Sequence, residues 1–375
     1  MKRVLLIGCG AEIGINLLLL NQPARDGFVI DTVITNSPAI DKRYPDLSPI
    51  HGIYARAMLA QPAVNNSVSI KSEKTISFAG RDVDFHFLNV HQDPIEQIGR
   101  FDGAILATSK EDVESEELNE KIRSISDVVL GVAESDRFPS VYPCLLGMRE
   151  SIPTKSSDFA LNGIYCIGSC QTNGMHASLR LVIMALSHLG RDATSILSIE
   201  TDIIHPDTPT GTLGTKSFEG RLQDCRDNLR PSFSQISKSL KKVMPWASMI
   251  NTVSLRAPIH APGYQINRFI ISDQNKLSAE DIVRASDISY KTHPDIVKCN
   301  NIPLGSRAYS FEARCSTILS DNHHLIFSRP PYLKDQGLTQ LVIQSYVNNT
   351  IGYSANVLNA VAHVMTEKDN AEFFF

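Results

Sequence analysis

Residues 2–20 constrain the fold more than any other stretch of the chain. Arg3-Val-Leu-Leu-Ile is a short apolar run of strand length. It enters Gly8-Cys-Gly-Ala-Glu-Ile-Gly14, and the apolar run 15–20 follows with helical character. A strand, a glycine-rich turn and a helix in this order open a βαβ unit of a parallel sheet. Glycines let a backbone approach a pyrophosphate, and the helix N-terminus stabilises its charge. Gly8 and Gly10, with Glu12 and Ile13 at the helix start, are the first candidate cofactor-binding residues. The spacing is one residue longer than Gly-x-Gly-x-x-Gly, so a plain βα connection fits this turn as well.

A second apolar run, Phe28–Thr35, ends at Asn36. In dinucleotide-binding units an acidic residue usually stands there and holds the ribose hydroxyls. Asn36 is neutral, Ser37 follows, and Lys42 and Arg43 are near. Loss of the acid removes repulsion against a 2′-phosphate, while an asparagine also serves to bind plain ribose. NAD and NADP therefore both stay open as cofactors. Residues 67–78 and 82–90 read as a hairpin with its turn at Ala79-Gly80. Residues 101–108, ending at Thr108, and 128–132 are further buried strands. Alternating strands and helices predict a doubly wound parallel sheet.

The texture then changes. Residues 195–204 form a long β-type run ending at His205, and 249–258 and 264–272 are two more, with a break at His260-Ala-Pro-Gly263. Long strands with few crossovers predict an α+β region with a mostly antiparallel sheet. Residues 351–365 carry apolar side chains at helical spacing and read as a C-terminal amphipathic helix. The aromatic tail 373–375 is expected to be buried or interfacial.

Charge and cysteine usage narrow the function. A net charge of −4 offers no basic footprint for nucleic acid. The apolar run 13–20 is broken by Asn16 and is too short to span a bilayer, and it lacks the flanks of a signal peptide. The expectation is a chain that binds neither membrane nor nucleic acid. Seven cysteines, with no Cys-x-x-Cys pair, argue against a disulfide framework or a metal site and for a reducing cytoplasm.

One cysteine stands apart. Ser169-Cys170-Gln-Thr-Asn173 follows a short apolar run and precedes a helix-like stretch, 175–189. A thiol at a helix N-terminus is expected to have a lowered pKa, which is one way to build a nucleophile for a carbonyl. The alternative is a cysteine that merely fills a core.

Further motifs follow in order. They are Ser48-Pro-Ile-His51-Gly52 after the second strand, Asn228-Leu-Arg-Pro231 with Pro245 fourteen residues later, Leu255-Arg256-Ala-Pro258, and Asn349-Thr-Ile-Gly352-Tyr353-Ser354. Together with the cysteine motif, over nearly the whole chain, they resemble glyceraldehyde-3-phosphate dehydrogenase and its relatives, the phosphorylating aldehyde dehydrogenases. The cysteine segment is similar to that family's Ser-Cys-Thr-Thr-Asn. The others are similar to its Ser-x-His-Gly turn, its Asn-x-x-Pro helix with a closing proline, its Phe-Arg-Val-Pro strand and its Asn-Glu-Trp-Gly-Tyr-Ser segment. Departures mark a divergent paralogue. Gln171 replaces threonine, Ser234-Gln235 replaces Thr-Gly, Thr350-Ile351 replaces Glu-Trp, and Cys170 lies 35 residues before His205, several more than usual.

The resemblance implies a Rossmann-type domain over 1–169, a catalytic domain over 170–345, and a C-terminal helix over 346–375 returning to the first. It implies that His205 lies beside Cys170 as general base, with His260 as fallback and His176 as a third candidate that more readily packs or caps. It assigns Asn349 to the nicotinamide carboxamide. Arg256, Thr208 and Thr210 fall to a substrate anion. Ser169, Gln171, Ser234 and Arg221 fall to inorganic phosphate, with Arg226 and Arg230 near the last. The implied reaction is NAD(P)-dependent oxidation of a small phosphorylated or anionic aldehyde through a cysteine thioester to an acyl phosphate, or its reverse, in a homotetramer or homodimer. Two other readings compete. One is a hydrolytic dehydrogenase of the erythrose-4-phosphate type, to which the altered Gln171 and Ser234-Gln235 positions give weight. The other is a binding or regulatory paralogue without activity.

Overall fold

The computed structural model describes residues 1–10, 12–38, 43, 46–60, 67–153, 163–206, 229–247, 249–257, 259, 262–299, 314–319 and 324–367. The chain divides into two units. Among the described residues, the first comprises 1–141, 163–167 and 357–367, and the second 142–153 and 168–356. Relative to boundaries placed at 169 and 345, the segment from Tyr142 therefore joins the second unit, and the helix Ile351–Glu367 is shared between the two.

The first unit is built on an eight-stranded sheet. Its strands are β1 (Lys2–Ile7), β2 (Phe28–Thr35), β3 (Val68–Ile70), β4 (Thr75–Phe78), β5 (Arg81–Phe87), β6 (Gly103–Leu106), β7 (Val129–Gly131) and β8 (Ile164–Cys166). They lie in the order β3-β4-β5-β2-β1-β6-β7-β8. From β5 to β8 every pairing is parallel. Counting only these six, the order is third, second, first, fourth, fifth, sixth, the arrangement of a Rossmann-type domain. Val4, Leu5, Leu6 and Ile7 are at most 1% exposed, as a central strand covered on both faces requires. Burial of each such side chain contributes roughly 1.5–3 kcal/mol.

The expected hairpin has two turns rather than one. β3 and β4 pair antiparallel, and so do β4 and β5. The second turn, Ala79-Gly80, has positive φ at both residues (51° and 85°), the backbone a two-residue hairpin loop needs. Ser48-Pro-Ile-His51-Gly52 is not a free turn. Pro49 starts the helix Pro49–Ala60, and the Ser48 N–H donates to His51 Nδ1 at 3.1 Å.

The second unit holds another eight-stranded sheet. Its strands are β9 (Ile196–Pro206), β10 (Arg230–Ser232), β11 (Met249–Ala257), β12 (Gly263–Ser272), β13 (Val297–Cys299), β14 (Thr317–Leu319), β15 (Leu325–Ser328) and β16 (Leu338–Val347). The order is β10-β11-β9-β12-β16-β14-β13, with β15 also on β16. Most pairings are antiparallel; β11 on β9 and β13 on β14 are parallel. Strict alternation along β12 and β16 gives the sheet one buried face. Phe269, Ile271, Leu341 and Ile343 from that face pack with Leu179, Leu186 and Val182 of the helix Cys170–His188 in one apolar cluster. The segment expected as an Asn-x-x-Pro helix differs. Asn228 lies outside the described residues, and Pro231 sits in β10, paired with Leu255. A proline has no N–H for a ladder and is tolerated on an edge strand such as this one. The helix begins only at Ile236 and ends at Val243, before Pro245.

Candidate functional site

Cys170 is the first residue of the helix Cys170–His188. Gly168, with φ of 81°, turns the chain, and the Tyr353 hydroxyl donates to its carbonyl at 2.6 Å. Ser169 is extended and caps the helix, accepting from the Thr172 N–H at 3.2 Å. This cap satisfies one of the orphan donors of the first turn and fixes where the thiol emerges.

Three side chains from distant parts of the sequence converge on this thiol. Cys170 Sγ lies 3.7 Å from His205 Nε2, and the Asn349 amide donates to Sγ at 3.3 Å. Asn349 is fixed in turn, because its Oδ1 accepts from the Gly263 N–H at 2.9 Å. His205 stands near the end of β9, in register with Arg256 of β11, so both side chains leave the sheet on the same face. Arg256 Nη1 lies 3.1 Å from His205 Nδ1 and donates to the Pro206 carbonyl at 3.3 Å, while its Nε donates to Ser232 Oγ at 3.2 Å.

These contacts decide the histidine tautomer. Nδ1 is 2.5 Å from the Pro206 carbonyl, which can only accept. It cannot donate there and accept from Arg256 at once. We assign the hydrogen to Nδ1 on the shorter contact, which leaves the Nε2 lone pair facing the thiol.

The expected lowering of the thiol pKa is not found. Cys170 keeps part of its surface open, yet protein surrounds the sulfur densely, and burial pushes the thiol up. The Asn349 amide, the N–H groups of Gln171 and Cys170 and the charge of Arg256 pull it down without overcoming the burial. The helix start cannot offset the lost hydration of a thiolate, so the resting group is a thiol.

The other expected residues separate into groups. The Ser169 hydroxyl serves the cap and lies 2.9 Å from Thr172 Oγ1. Ser234 Oγ accepts from the Ile236 N–H at 3.3 Å, just before the helix Ile236–Val243. Gln171 is 5% exposed and its amide is buried, which corrects the expectation that it faces a bound phosphate. Beside it, Asn173 and the Gln265 carbonyl oxygen also meet no protein partner. Such groups cost about 1–3 kcal/mol each unless bridged by internal water. His176 is fully buried, 3.1 Å from Ser239 Oγ and edge-on to Tyr142 at 4.4 Å; it packs. Burial lowers its pKa to about 3. Thr208, Thr210, Arg221, Arg226 and His260 lie outside the described residues, as do Lys42 and the tail 373–375.

The first unit carries a separate cleft of about 330 Å³ at the C-terminal ends of β1, β2 and β6, where the strand order reverses. Gly8, Gly10, Asn36 and Thr108 line it, as the sequence suggests; Glu12 and Ile13 do not. The glycines are required here. A Cβ on Gly8 would stand 2.7 Å from the Ala107 carbonyl oxygen, and one on Gly14 would stand 2.2 Å from the Gly8 oxygen. Among the described residues no carboxylate lines the cleft, and the one cation that does is Arg56, which no sequence motif marks.

No protein-family model matches the chain, and no curated protein is found similar to it. Among the described residues, no group of three His, Cys, Asp or Glu could hold a metal, and no helix is long and apolar enough to cross a membrane.

Proposed function

We propose that this protein is an NAD(P)-dependent aldehyde dehydrogenase that works through a cysteine thioester on a small phosphorylated or anionic aldehyde. The observation that carries the reading is the 3.7 Å approach of Cys170 Sγ to His205 Nε2, with Asn349 and Arg256 on the same cluster. A glycine-lined cleft at the strand-order reversal supports dinucleotide binding. Gly8, Gly10, Asn36 and Thr108 would hold the cofactor, which when bound supplies the hydride acceptor.

The chemistry of the chain's own groups follows from the geometry. As Sγ bonds to the aldehyde carbon, the thiol proton passes to His205 Nε2, and Nδ1 keeps its hydrogen, donated to the Pro206 carbonyl. The imidazolium then returns a proton to the new oxyanion, giving a hemithioacetal. The Cys170 N–H and the Asn349 amide, both beside the sulfur, would donate to that oxygen. When the hydride leaves, His205 takes the hydroxyl proton and a thioester remains on Cys170. Phosphate attack on the thioester would release an acyl phosphate and regenerate the sulfur. Arg256 presents a planar donor fork suited to a phosphate or carboxylate on the substrate.

A hydrolytic variant, in which water resolves the thioester, is the second reading. Ser169 and Ser234 are engaged at helix starts and Gln171 faces inward, which leaves fewer groups for inorganic phosphate. Assembly as a homotetramer or homodimer is part of the proposal and is tested by sedimentation. The deciding experiment is a screen of short phosphorylated aldehydes with NAD and NADP, with and without phosphate or arsenate, coupled to mass spectrometry of the trapped acyl-enzyme. Phosphate-dependent turnover selects the first reading and phosphate-independent turnover the second. No acyl adduct on Cys170 with any aldehyde would sink both and leave the inactive paralogue.

A further inference from the structure

The cleft of the first unit has a polarity that the glycine turn alone does not explain. Dinucleotide clefts that take NAD place an acid at the end of the second strand, where it binds the two ribose hydroxyls. Here Asn36 and Ser37 stand at that end, and none of the described residues lining the cleft is acidic. Instead the helix Pro49–Ala60, the next helix after β2, sends Arg56 into the cleft. The helix is placed by close packing on the loop that follows the strand. A Cβ on Gly52 would stand 2.9 Å from Pro38 Cβ, so glycine brings this first turn against the Pro38 ring. Arg56 follows one helical turn later on the same side, with Ile53 beside it in the cleft wall.

The guanidinium of Arg56 is exposed and makes no hydrogen bond or ion pair with any described residue. Nη1 stands 3.7 Å from where a Cβ on Gly10 would be, so the fork hangs over the glycine turn, in the same cleft that Asn36 and Ser37 line. An arginine that no described residue pairs, in a cleft where the described lining has no carboxylate and two small neutral side chains, is a site for a phosphoryl group.

We propose that Arg56 binds the 2′-phosphate of NADP and makes this protein prefer NADP over NAD, an inference that rests on the dinucleotide reading of the cleft. Asn36 and Ser37 supply neutral hydrogen-bonding groups around the same phosphate, and no acid stands at the end of β2 to repel it. The pyrophosphate is the other anion within reach of Arg56, and the experiment separates the two.

Isothermal titration of the full chain with NADPH, NADH, adenosine 2′,5′-bisphosphate and ADP reads the site without turnover. The wild-type protein is expected to bind NADPH more tightly than NADH. Arg56→Gln should weaken NADPH and adenosine 2′,5′-bisphosphate by about 10- to 200-fold and leave NADH and ADP within roughly twofold. Arg56→Lys, a point charge without the fork, should fall between. Asn36→Asp should reverse the preference toward NADH with Arg56 intact. Because Arg56 is exposed, the Gln variant should melt with the wild type, and that is checked in parallel. Equal losses on NADH and ADP would move Arg56 to the pyrophosphate and overturn the proposal. So would unchanged affinities, or a wild type that binds NADH and ignores NADPH; in each of these cases the dinucleotide reading stands. Failure of the wild type to bind either dinucleotide overturns the dinucleotide reading itself, and the proposal with it.

Discussion

The chain contains two junctions of the same local kind, a strand, a glycine turn and a helix N-terminus, and they arrive at opposite environments. At the first, Gly8 and Gly10 leave an open cleft wall with Arg56 over it. At the second, Gly168 and Ser169 deliver Cys170 into a crowd of side chains. Each junction also carries a cysteine. Cys9 is fully buried, and burial pushes its thiol to about 12 despite a hydrogen bond with Thr35 and the charge of Arg56. Cys170 is pushed the same way but has Asn349, two backbone N–H groups and Arg256 opposing the shift. Proximity to a helix start is thus a weak lever beside desolvation. Reactivity depends on which side chains the tertiary structure brings to the sulfur.

The sharpest way to break this comparison is to remove the second thiol. Cys170→Ala should abolish turnover and leave cofactor binding intact, whereas Cys9→Ser should leave measurable activity. Iodoacetamide should label Cys170 ahead of Cys9 and Cys144. The rate in the resting protein should still be climbing at pH 9, because the thiol sits above the ordinary value. Labelling of Cys144 or Cys299 before Cys170 would refute the assignment.

His205→Asn should lower the chemical step by ~10²–10⁴-fold, the usual cost of losing a general base. Near-native single-turnover rates in this variant would shift the role elsewhere, with His260 the next residue to replace.

Arg256→Ala should reduce kcat/KM for a charged aldehyde by about 10- to 200-fold, from a lost charge-assisted bond of roughly 1.5–3 kcal/mol. A neutral short aldehyde should lose little. Equal losses on both would mean that Arg256 acts through His205, which it contacts, and through its charge on the thiol.

The smallest effect concerns stability. His176 lies on the same helix as Cys170, but burial alone lowers its pKa, from 6.5 to about 3. Above pH 6.5 both folded and unfolded chains hold it neutral. As the pH falls from 6.5 toward 3 the unfolded chain gains a proton that the folded one refuses, so stability decreases. The expected contribution is roughly 2 kcal/mol lost at pH 5 relative to pH 7.5. His176→Gln should flatten that part of the urea-midpoint profile against pH. An unchanged slope would place the pH dependence in other groups.

Local order along the chain settled much of this architecture. Apolar runs of strand length, glycines at turns and alternating periodicity specify both sheets. The Ser169-Cys170 junction is readable as a helix start, because capping and periodicity depend on near neighbours. The family resemblance implies a helix at Pro231 where the structure has an edge strand; an isolated proline is compatible with both. What the tertiary structure alone decided is convergence. His205 reaches Cys170 across 35 residues and Asn349 across 179. The register of β9 on β11 puts Arg256 against His205. Packing of Gly52 on Pro38 places the helix that carries Arg56, while attention to neighbours in sequence pointed to Lys42 and Arg43. The direction of the Cys170 shift belongs to the same class. A thiol's pKa sums the hydration it loses and the charges it gains, and both are set by residues far along the chain.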